Sequence, residues 1–321
     1  MEQINIYFAP MEGITGYVFR QAHHEYFKGI SKYFTPFIVP NQKNKFRTRE
    51  RNDVLPEHNQ GIPVVPQIMT NNSGQFLQAA AQLYDMGYRE VNLNLGCPSA
   101  TVVTKKRGSG FLAVPSELER FFEEVFEKLP EDMEFSVKTR LGKESPEEFP
   151  ELLEIYNRYP LSELIIHPRV QKDFYNGEPR MEWFSYAVEH SRHALCYNGN
   201  IFSQEDFSTI VEQYPAVHSC MIGRGLLARP DLAQVLFGMG QSDDAAIKQF
   251  HDRIYEGYKE ALKNSGTHTV FFRMKELWFY MLPLFVNCEL HTKQMKKVKT
   301  EGEYESVTQQ IFRDGLIRAK R

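Results

Sequence analysis

A chain of 321 residues with 42% hydrophobic and 25% charged side chains is ordinary for a soluble globular protein. Its formal net charge of −3 excludes a globally basic nucleic-acid binder, so any such partner must be met by a local patch. Four widely spaced cysteines, with no Cys/His cluster of metal-ligand spacing, suit free thiols in a reducing compartment. The first residues carry no basic and apolar leader, and no apolar run approaches the ~20 residues that span a bilayer. A cytoplasmic protein without a membrane partner is expected.

Taken in chain order, strand-like apolar runs fall at residues 4–9, 33–39, 64–69, 90–95, 134–139, 163–167, 194–198 and 219–223. Amphipathic stretches separate them, such as 73–86 and 116–128, with Ser73 and Ser116 as plausible N-caps. Eight strands in strict alternation predict an α/β fold, a (β/α)8 TIM barrel over residues 1–242. An open doubly wound sheet has fewer strands and an early GxGxxG, which is absent.

From about residue 243 the pattern is helical only, over 245–263, 269–286 and 304–319. Residues 243–321 therefore read as a small all-helical bundle joined at 241–244. Counted from Ala245 onward it carries an excess of roughly five positive charges, with Lys293, Lys296, Lys297 and Lys299 crowded together. Such a run is often only a solvated face. The connection 40–61 is also basic, with Lys43, Lys45, Arg47, Arg49 and Arg51, and a loop of that length is more often functional than idle.

The predicted strand ends carry polar or reactive groups almost without exception: Pro10-Met11, Gln67, Asn94 to Cys97, Lys138 to Arg140, His167 to Arg169, Asn198-Gly199 and Gly223-Arg224. In a barrel these points form one ring at the C-terminal face, where chemistry sits. The most informative is Asn94-Leu95-Gly96-Cys97-Pro98, a strand that stops abruptly and delivers a carboxamide and a thiol. Cys97 could equally be a small buried apolar residue, the usual fate of a free cysteine. Asn198-Gly199-Asn200 and Ile222-Gly223-Arg224-Gly225 stand where this barrel class binds phosphate. Lys138 could be a lysine snorkelling from the core edge, or a fixed cation against a ring edge where reduction builds negative charge. With Gln67 and Met11 it describes a flavin mononucleotide pocket better than a nicotinamide one.

These motifs resemble the tRNA-dihydrouridine synthases over nearly the whole chain. The resemblance rests on Ala9-Pro10-Met11-Glu12-Gly13-Ile14-Thr15, Pro66-Gln67-Ile68, Asn92 to Ser99, Gly108 and Gly110, Ser136 to Gly142, Asn198-Gly199 and Met221 to Gly225. It implies FMN as cofactor, NADPH or NADH as electron donor and tRNA as partner; a monomer without a protein partner is expected. The reaction it implies is reduction of uridine to 5,6-dihydrouridine, with hydride to uracil C6 and a proton from Cys97 to C5. The thiol must then be protonated, with a near-normal or raised pKa of about 8.5 or above.

By the same resemblance, Pro10, Met11, Gln67, Lys138, His167, Asn198, Gly199, Asn200, Gly223 and Arg224 hold the cofactor. Asn94 and Arg140 meet the nucleotide, and Lys105 and Arg107, with the basic connection and the tail, meet the RNA. One departure is His167-Pro168-Arg169-Val170, where family members commonly carry His-Gly-Arg-Thr. Two alternatives stand beside this reading: an FMN-dependent reductase of a free pyrimidine or small enone, and a non-catalytic RNA-binding protein on a reductase scaffold.

Overall fold

The computed structural model describes residues 4–41, 45–263 and 267–317. Lys43 and the end of the last predicted helix lie outside the described residues. The chain opens with β1 (Asn5–Phe8), α1 (Tyr17–Tyr26), β2 (Lys32–Phe34), α2 (Thr48–Val54), β3 (Val64–Val65), β4 (Gln67–Ile68), α3 (Ser73–Asp85) and β5 (Glu90–Leu95). It continues through α4 (Ala100–Val103), α5 (Pro115–Phe126), β6 (Glu134–Gly142), α6 (Phe149–Tyr156), β7 (Leu164–Val170), α7 (Met181–His190), β8 (Leu195–Asn198), α8 (Gln204–Gln213) and β9 (Ser219–Ile222). The remainder is helical: α9 (Arg224–Ala228), α10 (Leu232–Leu236), α11 (Asp244–Ala261), α12 (Thr267–Met281), α13 (Cys288–Lys297) and α14 (Glu301–Asp314).

These elements form two compact units. The first comprises the described residues up to Pro10, Ser31–Asn200 and Ser208–Ile222; the second comprises Met11–Ile30, Ile201–Phe207 and the described residues from Gly223 onward.

All strands lie in the first unit and pair in parallel, in the order β3-β2-β1-β9-β8-β7-β6-β5-β4. The two ends of that order are one stretch of chain. Pro66 interrupts it because proline has no N–H to give the ladder, while its carbonyl accepts from Asn92 N at 2.9 Å. β3 pairs with β2 and β4 with β5, so the sheet closes on itself across this residue. The eight expected strands are thus present as nine segments of a nearly closed barrel.

Alternation along the strands sets the two faces. Tyr7, Ala9, Phe34, Val65, Ile165, Cys196 and Met221, from six different strands or their ends, form one buried cluster inside the barrel. On the opposite face Phe135 of β6 packs against Phe76 of α3 and Phe122 of α5, with ring centroids 4.8 and 5.9 Å apart. Along β5, Val91, Leu93 and Leu95 are fully buried, and Glu90, Asn92 and Asn94 alternate with them. This alternation is why the interior of the barrel is polar along β5.

Several boundaries differ from expectation. The N-cap of α3 is Asn72, not Ser73: its side chain accepts from Gln75 N at 2.8 Å, and Ser73 Oγ turns instead to Glu124. α5 begins at Pro115 rather than being capped by Ser116, because proline has no N–H to satisfy and its φ is already helical. The connection 40–61 contains α2 and a 3-10 turn at Pro56–His58, so it is not a bare loop. Helix 269–286 stops at Met281, where Pro283 forces a 3-10 turn, and α13 follows it unforeseen. The last helix starts at Glu301, capped by Thr300 and Glu303, and ends before Gly315 at φ 77°.

In the second unit α1 packs on α11: Phe19, His23 and Phe27 surround the Phe250 ring with centroids 5.7, 6.1 and 5.0 Å away. A buried polar chain joins α11, α12 and α14. Trp278 Nε1 donates to Tyr304 Oη at 2.9 Å, that hydroxyl meets His251 Nε2 at 2.7 Å, and His251 Nδ1 faces Asp252 at 2.9 Å. Burial holds His251 below the ordinary imidazole range, so its neutral ring donates to Asp252. No helix among the described residues is long and apolar enough to cross a membrane.

Asn72→Ala should lower stability by about 1 kcal/mol through loss of the α3 cap, seen as an earlier denaturant midpoint with an unchanged slope.

Candidate active site

β5 ends at Leu95, and the next two residues turn sharply over the strand end. Asn94 closes that turn. Its Oδ1 accepts from Gly96 N at 3.0 Å and from Cys97 N at 2.9 Å. The carbonyl of Cys97 is held from the other side by Ser109, through its N at 3.1 Å and its Oγ at 2.8 Å. Gly108 makes that approach possible: it sits at φ 54°, and a Cβ there would lie 2.8 Å from the Cys97 carbonyl oxygen. Cys97 is therefore fixed by hydrogen bonds on both its amide and its carbonyl; the residue is half-buried and takes part in no disulfide. Ser109 is a residue that sequence reading missed, although the flanking Gly108 and Gly110 marked the place.

Two sequence-assigned residues turn inward. Gln67 is fully buried, its Nε2 donating to Asn92 Oδ1 at 2.8 Å and its Oε1 accepting from Asn94 Nδ2 at 2.7 Å. Arg140 is 1% exposed, and its guanidinium donates to three carbonyls: Gly96 at 2.8 Å, Val170 at 2.9 Å and Phe174 at 2.7 Å. It thus ties the Cys97 turn to the segment after β7. Burial lowers its pKa to about 10. Gln171 Nε2 repeats the tie, donating to Pro98 O at 3.1 Å.

The segment after β7 carries an aromatic residue that sequence reading passed over. Tyr175 is exposed, yet its ring lies 5.6 Å from the Arg140 guanidinium and 6.2 Å from the His167 ring. Its only sequence signal is its place eight residues after a strand-end histidine. Phe174, beside it, adopts φ 50°, a conformation held by the Arg140 bond to its carbonyl.

Lys138 projects from β6 and donates to Asn198 Oδ1 at 2.6 Å, and Asn198 Nδ2 donates to Met221 O at 2.8 Å. Burial, reinforced by the neighbouring Arg140 charge, pushes the Lys138 pKa down to about 7. A cation held this close to neutrality is matched by an anion or an electron-rich ring edge.

His167, 7% exposed, bonds Arg169 through Nε2 at 2.8 Å. Arg169 is fully buried and also reaches Asn176 O at 3.3 Å, Gly177 O, and Asn200 Oδ1 at 3.4 Å. Pro168 lies within β7 without ending it. Gly199 is required for a different reason than anion approach: a Cβ there would lie 2.0 Å from Tyr197 Oη.

Pro10 follows β1 in the first unit, and Met11, Gly223 and Arg224 belong to the second. There Met11 O accepts from Ile14 N and Thr15 N, both at 3.0 Å, and Arg224 lies over the Phe202 ring at 5.6 Å. Lys105 is exposed, and Arg107 is half-buried beside Asn71. Lys45, Arg47, Arg49 and Arg51 are exposed in and around α2, as are Lys293, Lys296, Lys297 and Lys299 in and after α13.

The model of the dihydrouridine synthase (Dus) family matches residues 7–314. The chain belongs to that family of oxidoreductases. Among its relatives, a tRNA-dihydrouridine(16) synthase from Pseudomonas putida is 26% identical over 87% of this chain and 88% of its own length. Another of that name from Pseudomonas syringae pv. tomato is 28% identical, covering 72% and 74%. A tRNA-dihydrouridine synthase B from Pasteurella multocida is 25% identical, covering 76% and 72%. Among solved structures, morphinone reductase superposes with a TM-score of 0.52 at 13% identity, over 74% of this chain and 86% of its own. The old yellow enzyme from Trypanosoma cruzi does so at 0.53 and 9%, over 80% and 94%. These likenesses show a shared TIM-barrel fold.

Lys138→Met should stabilise the protein by roughly 2–4 kcal/mol at pH 7, because a folded-state pKa depressed below the ordinary ~10.4 makes the charged lysine a cost to folding. The cost is fully present at and below about pH 7 and disappears as pH rises past the ordinary lysine range. Unfolding free energies of both proteins between pH 7 and 10.5 should therefore converge at the alkaline end.

Proposed function

We propose that this protein reduces the C5=C6 bond of a uridine in tRNA to 5,6-dihydrouridine, with flavin mononucleotide as cofactor and NADPH or NADH as electron donor. The family membership and the names of the relatives support the substrate, and the fixed Cys97 turn is the single observation that carries the mechanism.

The side chains of the first unit suit a flavin. Lys138, half-buried and hydrogen-bonded to the neutral carboxamide of Asn198, is a cation in need of a counter-charge. It would hold the electron-rich edge of the ring, with Asn198 fixing the ammonium, and Gln67 is proposed for the same cofactor on the family resemblance. Pro10, His167, Gly199 and Asn200 would complete that side, with Arg169 orienting His167 and Asn200. Met11, Gly223 and Arg224 are proposed for the cofactor on the family resemblance alone. When bound, the flavin supplies the hydride that goes to uracil C6.

The rest of the chemistry falls to the protein. The Cys97 thiol gives its proton to C5 as the C6–H bond forms, and solvent then reprotonates the thiolate. This needs a thiol whose position does not wander, which the bonds from Asn94 and Ser109 provide. Asn94 spends both faces of its carboxamide on Gly96, Cys97 and Gln67, which leaves one N–H for the uracil edge. Arg140 acts on the nucleotide by holding the Cys97 turn and the Tyr175 segment together, and Tyr175 offers a ring on which a base extruded from its stack can rest. Lys105, Arg107, the lysines and arginines around α2, and those of α13 are proposed to contact tRNA phosphates. We assign residues 1–242 to catalysis and 243–321 to tRNA binding.

The purified protein should show a flavin absorption spectrum, and Cys97→Ala should retain it while tRNA reduction falls at least about a hundredfold. Full turnover by the variant would remove the thiol from the mechanism. Loss of the flavin itself would mean that Cys97 is structural.

A further inference from the structure

A chain of side-chain hydrogen bonds runs through the barrel interior from its base to the Cys97 turn. At the base, Lys32 Nζ donates to Glu90 Oε2 at 2.6 Å, and Ser136 Oγ donates to Glu90 Oε1 at 3.1 Å. Asn92 Nδ2 donates to Ser136 Oγ at 3.0 Å. Gln67 Nε2 donates to Asn92 Oδ1 at 2.8 Å, and Asn94 Nδ2 donates to Gln67 Oε1 at 2.7 Å. The last acceptor, Asn94 Oδ1, receives the Gly96 and Cys97 amides. Register makes the path continuous: Gln67, Asn92 and Ser136 are direct partners across β4, β5 and β6.

From Glu90 to the turn every link points the same way, each residue donating toward the base and accepting from the turn side, while Lys32 donates to Glu90 from beyond it. Both ends are locked. The Glu90 carboxylate can only accept, so Ser136 must offer its proton downward and its lone pair to Asn92. At the other end two backbone amides can only donate, so Asn94 must present oxygen to them. Between these anchors neither carboxamide of the pair Asn92 and Gln67 can flip without setting donor against donor inside a buried core.

We propose that Glu90, Ser136 and Asn92 are positioning residues for the reaction: they fix the orientation of the Asn94 carboxamide, and through it the Cys97 turn, from the far end of the barrel. From Glu90 to the end of β5 is about 16 Å at the rise of a parallel strand. The hydrogen-bond claim stands on geometry alone, while its bearing on turnover rests on the reading of Cys97 as proton donor.

Hydrogen-exchange mass spectrometry resolved to single residues over 94–99 tests it. Ser136→Ala should speed exchange at Gly96 and Cys97 by about tenfold while amides of β7 and β8 stay within twofold of the parent protein. Glu90→Ala should do the same. Glu90→Gln, which loses the charge that pairs with Lys32 but keeps an acceptor for Ser136, should restore protection. Turnover number should fall in step with exchange, with the KM for tRNA little changed. Unchanged exchange at Gly96 and Cys97, a uniform rise across all strands, or a Glu90→Gln variant as impaired as Glu90→Ala would each overturn the proposal. Should the parent protein fail to reduce tRNA, the functional reading would fall, and the exchange result would still decide the hydrogen-bond claim.

Discussion

The structure depends on one short hydrogen-bonded turn, the pair of amides from Gly96 and Cys97 donated to the Asn94 carboxamide. The proposed role of Cys97 as proton donor asks that its position be held. Here the amide is held by Asn94, the carbonyl by Ser109, and the preceding peptide by Arg140. Three different stretches of chain thus converge on one residue. The barrel supplies the convergence, because parallel strands deliver their C-terminal ends to one face.

The polar interior follows from the same requirement. Barrels of this kind are commonly filled by branched apolar side chains. Here the walls β1, β2, β7, β8 and β9 meet that description with Phe34, Ile165, Met221 and their neighbours. The walls β4, β5 and β6 do not: Gln67, Asn92, Asn94 and Ser136 are buried there, and each is satisfied by the next. A buried network of this kind stabilises little over an apolar core, but it specifies one arrangement. The electrostatic cost at Lys138 is of the same nature, since burial and the neighbouring Arg140 charge hold that cation near neutrality.

Much of this was legible in the sequence. The β5 bounds coincide with the predicted 90–95, and Asn94 and Asn198 fall at strand ends, but β6 and β7 each run three residues past the predicted 139 and 167, so Lys138 and His167 lie within their strands. Family motifs located Cys97, Gln67, Asn94, Lys138 and Arg140. The partners of those residues were not legible, because they depend on cross-strand register. That Gln67 faces Asn92 and Asn94, and that Arg140 spends its guanidinium on three carbonyls, requires β4 to β7 to be laid side by side. Tyr175 escaped notice because an exposed ring on an irregular segment has no periodicity to betray it. α13 escaped because its apolar residues are sparse, and the split of the third strand follows from a single missing N–H at Pro66.

The most direct test of the account is nucleoside mass analysis of unmodified tRNA after incubation with the purified flavin-loaded protein and NADPH. The account predicts a gain of about two mass units on uridine, the mass of the hydride and proton delivered to C6 and C5. A protein that carries flavin and oxidises NADPH yet leaves every tRNA uridine unreduced would contradict it, and would move the chemistry to a small unsaturated substrate.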